Sequence, residues 1–493
     1  MANTPHGMSR LDLFLKECLE HHSLNDNRPL PPIFGHLIGP NPVTGNLTRA
    51  QIVKAFDDLV DTMQTDQIAD GPADAGMTFF GQFIDHDITL DATSAIGTKI
   101  DPRSIRNIRT PELDLDCVYG DGPEASPYLF GEGDAHEFLL FGRKDNPYDL
   151  ARNCKGRALI GDFRNDENIL VSQVQGAFIS LHNILMTEAE KNTDAKHDIS
   201  HCASMGVRSD VWHSIVKKEL TSFEEVRRFI RLHYQWIILN EFLPSFVDQA
   251  DIDHALTHEI FPDAPIMPAE FSVAAYRFGH ATVQPSYVLR KGEAPLDLFA
   301  LSAFGPRDNG ATIEMAQFFG PHAQKALPVG IKMAETLFAL PDFIVGSGLM
   351  WGDHEIPVEQ AKKLGLRNIL RDRTAMQIAS GQQMARHLGL DVLPPPEALQ
   401  DNNVDKTPLW FYCLQEAEVS GQGKLSGVGG KLVASVFVKL LREDGESVLH
   451  VPDFKPWPGF GETCTMANIM AFVEKHRDNV KYREELFCGP SDH

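Results

Sequence analysis

Phe80-Gly81-Gln82-Phe83-Ile84-Asp85-His86-Asp87 is the stretch on which the reading of this chain turns. Apolar residues at Met77, Phe80, Phe83 and Ile84 predict a buried helix. At about 100° per residue, Gln82, Asp85 and His86 share one face of it, while Asp87 points well away. One helical turn thus offers an amide, a carboxylate and an imidazole to one cavity, with a second carboxylate behind. A single buried histidine is more often satisfied by its neighbours than functional, and the chain has 20 of them. The stretch therefore takes its meaning from its companions.

Three further clusters accompany it. Gly161-Asp162-Phe163-Arg164-Asn165-Asp166-Glu167 precedes an amphipathic helical run over Leu170 to Glu190, whose stripe is Val171, Val174, Phe178, Leu181 and Leu185. Arg164 and Glu167, three apart, can face the same way at the start of that helix. Ala275-Tyr276-Arg277-Phe278-Gly279-His280 puts a histidine after a glycine, where backbone can come close to a metal ligand. Leu366-Arg367-Asn368-Ile369-Leu370 places an amide on the apolar side of a basic helix, where it can accept the proton of a ligating imidazole. Taken singly, each is more often a solvated pair or a packed core residue.

The rest of the chain bounds the chemistry. It has 493 residues, and 45 basic against 68 acidic side chains leave a net charge of −23. Such a charge repels phosphate backbones and anionic lipid, so neither nucleic acid nor an acidic membrane surface is an expected partner. No apolar stretch approaches the roughly 18 residues of a membrane span. Met1 to Gly7 lack the pattern of a secretory leader, so a cytoplasmic place or leaderless export is the expectation. Seven scattered cysteines without a C-x-x-C pair point to reduced thiols.

Helical signals dominate the organisation. A helix is expected near Met8 to His21, then an extended arm over residues 27 to 46. Ser222 and Glu225 form a capping box ahead of a run through Val226, Phe229, Ile230, His233, Trp236 and Ile237. Asp391 to Pro408 reads as a long loop, and Gly421 to Gly430 as a glycine-rich turn before a helix over Lys431 to Leu441. The fold class is all-α. His197/His201 and His254/His258 have the spacing of helical metal ligands, but about one such pair arises by chance among 20 histidines.

In this order the four clusters resemble the animal-type haem peroxidases of the peroxidase–cyclooxygenase superfamily, in its bacterial branch. The similarity runs from about Pro31 to Leu441. It implies one large haem peroxidase domain over residues 31–441, preceded by an N-terminal helix and arm (1–30) and followed by an unassigned tail (442–493). By this resemblance His86 is the distal histidine that shuttles a proton on bound peroxide, Arg164 the distal arginine that stabilises developing negative charge, and Gln82 the distal glutamine that orders water. His280 is the proximal ligand of the haem iron, Asn368 the amide that orients it, and Arg277 a partner of a haem propionate. Asp85 and Glu167 match the carboxylates that form ester links to a b-type haem. The methionine that adds a sulfonium link in one relative would fall at residue 168, which here is Asn168.

The resemblance also implies a Ca2+ site. Thr110-Pro111-Glu112-Leu113-Asp114-Leu115-Asp116 matches the family's calcium loop, with Asp87 supplying a ligand from the back of the helix. Asp114 and Asp116 would give carboxylates, Thr110 hydroxyl and carbonyl, and Glu112 its backbone carbonyl. The implied activity is reduction of hydrogen peroxide coupled to oxidation of small organic donors, halides or pseudohalides, with the haem oxidised by two electrons and restored in two single steps. The alternatives are a fatty-acid dioxygenase of the same superfamily and a haem-binding adhesion or sensor protein without turnover. The dioxygenases carry a radical-bearing tyrosine three residues before the proximal histidine; here that position is Arg277, and Tyr276 lies one further back.

Overall fold

The computed structural model describes residues 34–39, 47–66, 69–89, 111–143, 146–197, 220–302, 304–345, 349–351, 354–480 and 486. The expected N-terminal helix, most of the arm, Thr110 and His201 lie outside these residues. The protein is mainly helical, as the sequence pattern predicts. Among the described residues the strands are two or three residues long and pair only two by two.

The Ile169–His197 helix runs through the centre, with the helices Ala75–Ile88, Phe223–Ile237 and Met466–Lys475 packed around it. The expected amphipathic stripe is buried, but so is most of the rest of the helix from Ile169 to Met186. Burying its polar side chains without partners would cost about 1–3 kcal/mol each. The long ones are instead bonded internally: Gln173 donates to the Ala311 carbonyl (2.9 Å) and accepts from the Ile313 N–H (3.1 Å), and Asn183 brackets Leu139 in the same way (3.0 and 2.9 Å). His182 Nε2 lies 2.9 Å from the Glu137 carbonyl. Within this helix, Ile169–Ala189 is long and apolar enough to cross a membrane, which corrects the expectation that no stretch approaches that length. Its most apolar window is wholly inside the protein.

Aromatic rings bind the helix to its neighbours. Phe83 stacks on Phe178 with centroids 5.2 Å apart, and Tyr234 meets Phe80, Phe83 and Phe178 edge-on. The start of the Ala75–Ile88 helix is stitched to the 318–325 segment. Ala75 N–H donates to the Gln324 carbonyl, Gly76 N–H to that of Phe318, and Asp74 accepts from Gly320 N–H. A side chain at residue 76 would meet the Phe318 oxygen at 2.5 Å, so only glycine permits this approach.

Elsewhere the structure adjusts the expected boundaries. Ser222 caps Phe223–Ile237 by accepting from Glu225 N–H, but the capping box is not closed: the Glu225 carboxylate takes the Thr221 N–H and hydroxyl instead. The expected glycine-rich turn is partly helix, because Gly427–Glu443 is continuous. Gly429 and Gly430 sit where a Cβ would lie 2.9 Å from Cys413 and 2.2 Å from Asp251, so they set close packing rather than break the helix. The expected loop over Asp391 to Pro408 contains a single helical turn, Glu397–Gln400. Residues beyond Leu441 are packed onto the body: Trp457 N–H donates to His233 Nε2 (2.8 Å), and Met466 N–H to Glu241 (2.7 Å). Cys117, Cys154, Cys413 and Cys464 are free thiols.

Candidate active site

Two imidazoles, 86 and 280, are carried by elements tied directly together. Tyr276 hydroxyl donates to the Gly81 carbonyl (3.1 Å), and the hydroxyls of Thr78 and Thr282 lie 2.9 Å apart. The Ala75–Ile88 helix is thereby fastened on both sides to the turn that carries His280.

His280 sits on a 3-10 stretch rather than an α-helix. A π-helical turn, Glu270–Ala274, passes into a 3-10 stretch, Ala275–Ala281. With three residues per turn, Arg277 and His280 are eclipsed on one side. Burial, and then the charges of Arg277 and Arg371, depress the His280 imidazole to about 3, which keeps it neutral. Asn368, buried on the Leu364–Leu370 helix, faces it with Nδ2 2.8 Å from Nδ1. A half-turn of this amide brings its oxygen to the same place, and in that sense it accepts Nδ1–H and leaves Nε2 free for a metal. A second π-helical turn, Arg371–Ala375, follows Asn368 directly.

His86 is buried, and burial with the nearby Arg164 charge lowers its imidazole to about 4, again neutral. Its Nδ1 lies 2.7 Å from Asn165 Oδ1. Arg164 is held beside it. Asp162, itself buried, binds the guanidinium through both oxygens (3.0 and 2.9 Å) and caps the turn by accepting Arg164 N–H (2.9 Å). Arg164 Nη2 also donates to the carbonyls of His86 (3.3 Å) and Thr89. The turn itself, Phe163–Asp166, is pinned from below, where Arg152 grips Asp166 with two bonds of 2.7 Å and Asp149 through Nε (3.1 Å) and Nη2 (2.7 Å). Such charge-assisted forks are the strong, geometrically specific kind.

Gln82, Asp85, Arg164, Glu167, Arg277 and His280 are all only partly buried, although the residues around them in their own elements are largely buried. Each of the six thus keeps part of its surface accessible where its neighbours are packed. Burial raises the Glu167 carboxyl against the opposing pull of Arg164, as expected if the two share a face. Asn168 has a separate use: its amide oxygen accepts Leu170 N–H (2.8 Å) at the start of the central helix.

Asp87 is directed to a different set of partners from His86, as the helical geometry predicts. Its carboxylate accepts N–H bonds from Leu115 (3.1 Å) and Cys117 (3.4 Å) and the Tyr234 hydroxyl (3.1 Å). Leu115 adopts a left-handed conformation (φ 62°) that folds the 114–117 segment around this carboxylate. Asp87, Asp114 and Asp116 are buried with their oxygens within 4.8 Å of one another. The Glu112 carboxylate is directed to Arg231 (3.5 Å), so any contribution from Glu112 to that cluster comes from its backbone. His254 and His258 stack at 4.6 Å on the surface, apart from this site, and the His197 side chain lies outside the described residues.

Sequence reasoning missed Asp162, Asn165, Gln175 and the Tyr276 tie. Asp162 was readable, since an Asp immediately before the first residue of a turn is a capping signature. Asn165 carried no local signal, because its partner is 79 positions away.

Residues 93–306 match the family model described as animal haem peroxidase. Over 203 residues the chain is 26% identical to chorion peroxidase of Drosophila melanogaster, a match covering 38% of this chain and only 22% of that protein. Peroxidase A from Dictyostelium discoideum has the same fold, with a TM-score of 0.57 at 15% identity over 92% of this chain and 95% of its own. A fatty acid alpha-dioxygenase from Oryza sativa, solved with palmitic acid, gives 0.56 at 14% identity over 90% and 79%. Over residues 93–306 the chain is thus similar to the animal haem peroxidases. That family implies haem binding.

Proposed function

We propose that this protein is a peroxidase that reduces hydrogen peroxide and oxidises small organic, halide or pseudohalide donors. The observation that carries this reading is the Arg164 guanidinium, fixed by Asp162 and bonded to the backbone of His86 itself. Holding a haem requires neither a neutral distal imidazole nor a tethered guanidinium; cleaving an O–O bond uses both.

The residues around His86 and His280 suit a haem by their donor set: a neutral imidazole backed by an amide on one element, and on the others an imidazole, a guanidinium and two carboxylates. His280 would hold the haem iron, which would supply the redox chemistry. His86 Nε2 accepts the proton of the incoming peroxide and returns it to the departing oxygen. Arg164 stabilises the negative charge on that oxygen, Gln82 positions water and small anions, and Arg277 pairs with a propionate. Asp85 and Glu167 would form the ester links to the haem. The Asp87, Asp114 and Asp116 oxygens would hold Ca2+ and so brace the His86 helix, with Thr110 and the Glu112 backbone as the further ligands the resemblance implies.

The test is the purified protein mixed with hydrogen peroxide in a stopped-flow spectrometer. A Soret band that changes within the first turnover supports the reading, and a static spectrum favours a haem-binding sensor. His280→Ala should abolish the Soret band, whereas His86→Ala should keep it and lose the peroxide response. Acidic organic extraction should leave haem on the protein and release it from the Asp85→Asn, Glu167→Gln double variant. A dioxygenase would instead consume oxygen with a polyunsaturated fatty acid and no added peroxide. Tyr276, its hydroxyl engaged at Gly81 and one position away from the dioxygenase pattern, weighs against that.

A further inference from the structure

The polarity of one buried hydrogen-bond chain can be worked out from its end. The Cys117 backbone carbonyl can only accept. Gln175 Nε2 lies 3.3 Å from it and must donate, which turns the Gln175 oxygen to Asn165 Nδ2 at 2.8 Å. That bond in turn leaves the Asn165 oxygen facing His86 Nδ1 at 2.7 Å. An amide oxygen carries no proton, so Nδ1 must supply it. Asn165 and Gln175 are fully buried, so no water competes for these groups, and reversing any link would set acceptor against acceptor.

We propose that Asn165 is a positioning residue that locks His86 in the Nδ1–H tautomer, making Nε2 the unprotonated acceptor. The proposal deepens the peroxidase reading and rests on it only for its purpose: a base that must take a proton through Nε2 is useless in the opposite tautomer. Gln175 acts one step further out, keeping the Asn165 amide from flipping and donating to the ring.

The test reads the tautomer itself. Protein carrying 15N-histidine is studied as purified at pH 7.5, reduced and saturated with carbon monoxide where it holds haem, so that the sample is diamagnetic. The His86 signals are identified by their disappearance in His86→Gln. Wild-type protein should give Nδ1–H and an unprotonated Nε2. Asn165→Leu should release the ring towards Nε2–H, and Asn165→Asp, which restores an acceptor oxygen, should return it. In haem-loaded protein, cyanide association, which delivers a proton to the distal base, should slow about tenfold or more in Asn165→Leu and recover in Asn165→Asp. An Nε2–H tautomer in the wild type overturns the proposal, as does an unchanged tautomer in Asn165→Leu. Protein purified without haem would sink the peroxidase reading while leaving the tautomer measurement decisive.

Discussion

Tyr276 donates its phenolic proton to the Gly81 carbonyl, 3.1 Å away, and so joins the turn of one imidazole to the middle of the helix of the other. The ring is buried against Phe271, 4.8 Å away, and the buried hydroxyl is pushed well above its ordinary titration range, so it stays a donor at all working pH values. Tyr276→Phe should lower the unfolding free energy by about 1 kcal/mol, the net worth of one such bond. Urea denaturation checks it; an unaltered midpoint would mean that the bond does not hold the two elements together.

Asp162 is expected to matter through Arg164. Asp162→Ala removes both carboxylate contacts and the turn cap. Reaction with hydrogen peroxide should slow by roughly 10–100-fold, the range found when a functional group loses its supporting partner, while the Soret band remains. Equal loss of haem and reactivity would instead mark Asp162 as merely structural.

Three buried carboxylates within 4.8 Å of one another call for a cation. Removing Ca2+ with a chelator should lower the thermal midpoint, and returning Ca2+, but not Mg2+, should restore it. The stabilisation is about 2.7 kcal/mol at a hundredfold excess over Kd. Asp116→Asn should require more Ca2+ for the same recovery; a midpoint indifferent to both chelator and Ca2+ removes the site.

His233 provides a pH dependence of definite sign. Its Nδ1 lies 2.7 Å from the Phe229 carbonyl, and its Nε2 accepts the Trp457 N–H, an arrangement open only to the neutral ring. Burial lowers the imidazole to about 4, whereas the unfolded chain binds a proton near 6.5. The unfolded state therefore takes up the proton first as pH falls, so this stabilisation is complete above about 6.5 and declines steadily until about 4. In that window His233→Gln should flatten the slope of unfolding free energy by about 1.4 kcal/mol per pH unit. An unchanged slope would assign it to other buried histidines.

The helical class was legible because long 3.6-residue periods at 170–190 and 223–237 reflect burial directly. The depth of the central helix was not, since Gln173, Gln175, His182 and Asn183 look like a wet face until their backbone partners from distant segments are known. The site was read at the level of its chemistry-bearing residues, which lie in short dense clusters. What holds them was hidden for the same reason throughout: Asn165 with His86, Tyr276 with Gly81 and Thr78 with Thr282 are pairs separated by 79, 195 and 204 positions. Local pattern carries no trace of such a contact. The π-helical and 3-10 geometry around His280 also escaped, because its residues are compatible with an ordinary helix.

The wide spacing of those partners sets an order of events during biosynthesis. A growing chain that has emerged only as far as the central helix already carries residues 82, 86 and 164, but nothing to face them. Residue 280 has still to leave the ribosome, and residue 368, which braces it, follows 88 positions later. The two sides of the site thus come together only after residue 368 has emerged, so a prosthetic group held by both would be captured by a polypeptide with most of its length already made. Cofactor supply at that moment, rather than during early elongation, would then govern how much of the protein matures.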